Sequence, residues 1–158
     1  MAEITPVPAG RWVSQTGSLL DTPLLWLGRL RRHANTSGGV IGSVTKTGQG
    51  AALSTTAIPI TGSVDAGLYR VSYYARITTA AGVSSSLTVT IGWTRSAVSL
   101  SQAGAAMTGN TTATQQNGTL FVRADANASI TYSTTYADGG GATSMQYELD
   151  VVVEKLPD

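Results

Sequence analysis

Nine carboxylates and one histidine make up the acid–base repertoire of this 158-residue chain, which has no cysteine. Three of the acids, Glu148, Asp150 and Glu154, fall on one side of Gln146–Leu156, where Tyr147, Leu149, Val151 and Val153 form the other side. Acids two residues apart on a strand stand about 7 Å from one another, inside the roughly 5–10 Å that a glycosidase pair requires. Alternating acids are also what a solvated strand face shows, and that is how they read here. His33 lies in Arg31-Arg32-His33-Ala34-Asn35 with no nucleophile or orienting acid spaced to complete a triad. Asp138 precedes Gly139-Gly140-Gly141 but starts no ligand-every-second-residue calcium loop, so a turn is expected. Those glycines and Gly38-Gly39 lack the lysine and the strand–loop–helix context of a phosphate loop. Without cysteine, a thiolate zinc site, a cysteine nucleophile and a disulfide scaffold are all excluded. The expectation is a chain that is no enzyme and uses no cofactor and no metal.

The elements that would carry these residues are strands. In Gly67–Thr78 the set Tyr69, Val71, Tyr73, Ala75 and Ile77 alternates with Arg70, Ser72, Tyr74 and Arg76. After an Ala80-Ala81-Gly82 turn, Leu87, Val89, Ile91 and Trp93 alternate with Ser86, Thr88, Thr90 and Gly92. A period of two marks a strand with one dry and one wet face. Ala51–Pro59, Ser96–Ala103, Thr119–Ala124, Ser129–Tyr136 and Gln146–Leu156 are read as further strands, with residues 104–118 as a surface loop. The expected fold is all-β: an antiparallel β-sandwich, most simply a jelly roll of seven or eight strands. Tyr69, Tyr73, Trp93, Tyr132 and Tyr147 fall on inward rows, whereas Tyr74 falls on the polar face as a candidate contact residue.

Residues 1–45 read differently from 46–158, as an N-terminal arm ahead of the sandwich domain. Asp21-Thr22-Pro23 can start a short helix, and Arg29, Arg31 and Arg32 suit the negative end of its dipole. Trp12, Leu24, Trp26, Leu27 and Leu30 carry more apolar surface there than a short helix hides on one sheet. Leaving a tryptophan in water forgoes about 2–3 kcal/mol, so the arm either caps its own sheet or docks on another protein, with the three arginines at the rim. Charged residues are only 12% of the chain and the net charge is +1, so no nucleic-acid or membrane partner is expected. Met1-Ala2-Glu3-Ile4 has no signal-peptide character, which points to synthesis in a cytoplasm. For that reason the sequons at Asn35, Asn110, Asn117 and Asn127 are read as chance matches.

Ala66–Arg76, Leu87–Trp93 and Met145–Val151 resemble small virion proteins of tailed bacteriophages, a group of capsid decoration (cement) proteins and head or tail fibre modules. The likeness spans roughly residues 50–156 and is one of texture, with no motif that transfers a residue role. It implies a β-sandwich, usually trimeric, that binds a protein lattice or a cell surface and does no chemistry. The expected function is a capsid decoration protein in the virion. It would dock on the major capsid protein or another virion protein, and on its own copies, through the N-terminal segment. The alternative is a fibre or adhesin module that binds host glycan through exposed aromatics such as Tyr74 or through the 104–118 loop.

Overall fold

A computed structural model of the chain describes residues 39–62 and 64–157, which belong to one unit running from Gly38 to Asp158. All regular structure in it is strand: β1 Gly39–Gln49, β2 Thr56–Ala57, β3 Gly67–Thr79, β4 Ser86–Arg95, β5 Val98–Ala103, β6 Met107–Thr108, β7 Gln115–Ala124, β8 Thr131–Ala137 and β9 Gln146–Lys155. The helix expected from Pro23 onward lies outside the described residues, as do Trp12, Leu24, Trp26, Leu27, Leu30, Arg29, Arg31 and Arg32.

The strands pair as a nested hairpin: β1 with β9, β2 with β8, β3 with β7, and β4 with β5, all antiparallel. Rolling that hairpin up gives one sheet in the order β1-β9-β3-β7 and a second in the order β2-β8-β4-β5, with β6 on the end of β4. With the two-residue β6 set aside, eight strands in this nesting are a jelly roll. Its two sheets enclose the alternating apolar rows: Tyr69, Val71, Ala75 and Ile77 from β3, Leu87, Val89 and Ile91 from β4, and Tyr147, Leu149, Val151 and Val153 from β9 are completely buried. Each such aliphatic side chain removed from water contributes about 1.5–3 kcal/mol.

β1 begins ahead of residue 46 and had no counterpart among the expected strands. Its ladder with β9 is broken by bulges between Val40 and Gly42 and between Lys46 and Gln49, which turn Val40 outward and disrupt the period of two. Gly42 sits where the 58–62 segment crosses; a Cβ there would lie 2.5 Å from the Pro59 oxygen. Only Thr56–Ala57 of the expected Ala51–Pro59 strand is regular. Upstream, the Leu53 N–H donates to the Thr134 hydroxyl oxygen at 2.8 Å, a side-chain contact in place of a regular ladder.

The second half of the expected 104–118 loop is strand instead: Gln115–Gly118 continue β7 opposite Arg76–Tyr73. Gly118 is inward because the Tyr73 ring occupies the place of its side chain. Large and small residues thereby alternate across the ladder instead of apolar and polar.

β4 turns into β5 through Ser96 and Ala97, at φ 51° and 61°. A two-residue hairpin of this hand normally takes Asn-Gly or Gly-Gly, since left-handed backbone costs other residues about 1–2 kcal/mol each. Asp125 compensates. Its Oδ1 accepts from the Ser96 N–H and its Oδ2 from the Ala97 N–H, both at 3.0 Å. These bonds, Ala97 first, hold the Asp125 carboxyl below the usual aspartate range. A depressed folded-state pKa stabilises the fold above the ordinary aspartate value. That contribution is lost as pH falls through the folded value. Asp125→Ala should therefore lower the urea midpoint at pH 7, and the gap to wild type should close on acidification. A constant gap across that range would remove the role given to the carboxylate.

Candidate functional site

The two outer faces of the sandwich differ in kind. On the first sheet, β3 contributes Arg70, Ser72, Tyr74 and Arg76, β9 contributes Glu148, Asp150, Val152 and Glu154, and β7 contributes Thr119, Phe121 and Arg123. The register places Glu154 beside Arg70, Asp150 beside Tyr74 and Glu148 beside Arg76. Arg70 Nε donates to Glu154 at 2.5 Å and Arg76 Nε to Glu148 at 2.9 Å. The bond to Arg70 lowers the Glu154 pKa and raises that of Arg70. Asp150 accepts from the Thr45 hydroxyl at 2.6 Å. The three acids singled out by their spacing are thus braced by neighbouring strands across an open sheet. Exposed pairs of this type add little to stability and mainly fix the register.

Tyr74 lies on this face, half-buried, with its hydroxyl donating to Gln115 Oε1 at 3.0 Å. Tyr69, Tyr73, Tyr132 and Tyr147 are buried, and Trp93 is partly buried against the core. Two exposed apolar residues on this face escaped the sequence reading: Phe121, 66% exposed, and Val40, 64% exposed. They end one cross-strand row, Val40–Glu154–Arg70–Phe121. Phe121 was legible as the outward member between Leu120 and Val122, but Val40 was hidden by the bulge.

Among the described residues, the outer face of the second sheet carries no charged side chain. β4 presents Ser86, Thr88, Thr90, Gly92 and Thr94, β8 presents Thr131, Ser133, Thr135 and Ala137, and β5 presents Ser99, Ser101 and Ala103. Matching rows run across it, Ala103–Thr90–Ser133 and Ser101–Gly92–Thr131. At one end lies a shallow cleft of about 330 Å³ bordered by Trp93 and Leu100 as well as by Thr94, Ser99, Ser129 and Thr131, with Gly92 in its floor. A Cβ at Gly92 would meet the Thr131 hydroxyl oxygen at 2.6 Å, so glycine keeps the floor open.

Asp138 caps its own turn, accepting from the Gly140 N–H at 3.0 Å, with Gly140 at φ 79°. A bond from Ser144, with this one second, lowers its pKa. No cluster of three or more metal-ligating side chains occurs among the described residues.

No family model matches the chain, and no curated protein matches it. Among solved structures it is similar to one titled "Structure of Eiger TNF from S. frugiperda", at 10% identity and a TM-score of 0.33, covering 76% of this chain and 95% of that one. A likeness of that size carries no functional argument. The class the fold defines is a jelly-roll sandwich with one charged and one uncharged sheet face.

Proposed function

We propose that this chain is a non-enzymatic virion structural protein, a capsid decoration protein of a tailed bacteriophage, which docks on the assembled shell through its N-terminal segment. The observation that supports the reading is the outer face of the second sheet, where Ser, Thr, Gly and Ala cover three neighbouring strands without a charge. Depletion of charge marks the core of a protein–protein contact. The opposite face, with Arg70, Arg76, Arg123, Glu148, Asp150 and Glu154, suits solvent. The sandwich would rest its uncharged face on the shell. A protein that binds only the assembled state stabilises that state by mass action.

The test is co-sedimentation with heads of the parent phage stripped of accessory proteins. Binding should be lost by Thr90→Lys/Ser133→Lys and by removal of residues 1–38, a cut that leaves β1 whole. The competing reading, glycan binding, draws on the cleft over Gly92, bordered by hydroxyls and by Trp93. It would show as saturable shifts of the Thr94, Ser99 and Thr131 amide resonances on adding oligosaccharide.

A further inference from the structure

Every open sheet ends in strands whose outer backbone groups lack a partner, and natural proteins blunt such edges with charge, proline, bulges or short length. Three of the four edges here are blunted. β1 is interrupted by two bulges and carries Lys46, and its Gly42 is bridged to Ile60. β2 is two residues long. β7 carries Arg123 and is weakened by Gly118. β5, Val98-Ser99-Leu100-Ser101-Gln102-Ala103, has none of these devices. It is regular, uncharged and free of proline and glycine, and all six residues are exposed.

The direction of its backbone groups follows from the turn. Arg95 and Val98 flank a two-residue loop and so form a hydrogen-bonded pair. Alternation then assigns Leu100 and Gln102 to the ladder with β4 and leaves the N–H and C=O of Ser99, Ser101 and Ala103 on the open side. The Gly104 N–H donating to the Val89 oxygen at 2.8 Å fits that phase. The side chains have the same character: Val98 and Leu100 are 55% and 39% exposed on the row that faces the sandwich interior.

We infer that β5 is a strand-pairing edge whose occupant is β5 of a second copy, antiparallel about a two-fold axis. An extended strand is what a row of alternating free N–H and C=O groups binds, and among the described residues β5 is the one unblunted edge offered in return. Its sequence is self-complementary. Pairing Ser101 with Ser101 of the partner sets Ser99 opposite Ala103 and Leu100 opposite Gln102, so that the outward groups of Ser99, Ser101 and Ala103 all meet partners and no charge is opposed. The pair would fuse two second sheets and join their uncharged faces into one surface. This inference does not depend on the proposed function.

The test uses the full chain. Light scattering over rising concentration should show a species with an even number of chains, and the Ser99, Ser101 and Ala103 amides should gain hydrogen-exchange protection with concentration. Ser101→Pro removes only an outward N–H and should halve the mass and abolish that gain. Leu100→Lys, which leaves every backbone group in place, should do the same if the proline variant folds poorly. An odd-numbered particle at all concentrations, or association and exchange unchanged in both variants, would overturn the inference. So would protection of these amides that is independent of concentration, since it would place a strand of the same chain on the edge.

Discussion

Tyr147→Ala should lower the unfolding free energy by about 3–5 kcal/mol, the range for emptying a buried aromatic site. Tyr147→Phe should lower it by about 1–3 kcal/mol for the hydroxyl alone. Tyr147 is completely buried on β9. Its hydroxyl donates to the Ala51 oxygen at 2.9 Å and lies 2.7 Å from Thr134 Oγ1. Because the tyrosine proton is committed to Ala51, the Thr134 hydroxyl donates to Tyr147 while accepting from the Leu53 N–H. The resulting chain, Leu53 to Thr134 to Tyr147 to Ala51, joins β8 of one sheet to β9 of the other and fixes the irregular 51–55 segment. Removing the phenol oxygen leaves the buried Thr134 donor without a partner. Urea unfolding of Tyr147→Phe, Thr134→Val and the double variant should give a non-additive cycle. A Tyr147→Phe protein as stable as wild type would show that the chain contributes nothing.

The second large effect is at Gly118. A Cβ there would lie 2.6 Å from the Tyr73 hydroxyl oxygen and closer still to the ring, so Gly118→Val overfills the space between β7 and β3. The expected loss is about 1–3 kcal/mol. Tyr73→Leu should be costly alone, yet the double variant should lose less than the sum of the two, because the smaller side chain vacates the space that valine needs. Strictly additive losses would mean that Tyr73 is not what excludes a side chain at 118.

These two sites show where the sequence was legible. Rows such as Tyr69–Ile77 and Tyr147–Val153 announce strands because apolar and polar residues alternate under a two-sided sheet. Gln115–Gly118 concealed a strand because its inward positions hold glutamine and glycine, the size being supplied by Tyr73 across the ladder. β1 was concealed by its bulges, and the Ser96-Ala97 turn by a stabilising carboxylate 28 residues away in sequence. In each case the deciding partner is distant in the chain, where no local pattern reaches. The outward placement of Tyr74, Glu148, Asp150 and Glu154 was readable from alternation. Their bracing by Gln115, Arg76, Thr45 and Arg70 needed the register. The uncharged face of the second sheet needed the strand order as well, since it gathers residues from β4, β5 and β8.

Co-sedimentation with stripped heads of the parent phage tests the docking proposal most directly. Wild type and a variant with lysines on the charged face, Ser72→Lys/Thr119→Lys, should pellet with the heads. Thr90→Lys/Ser133→Lys and the chain from Gly39 onward should stay in solution while remaining folded. Equal pelleting of all four proteins, or loss confined to the charged-face variant, would contradict the docking of this module through its uncharged sheet and N-terminal segment.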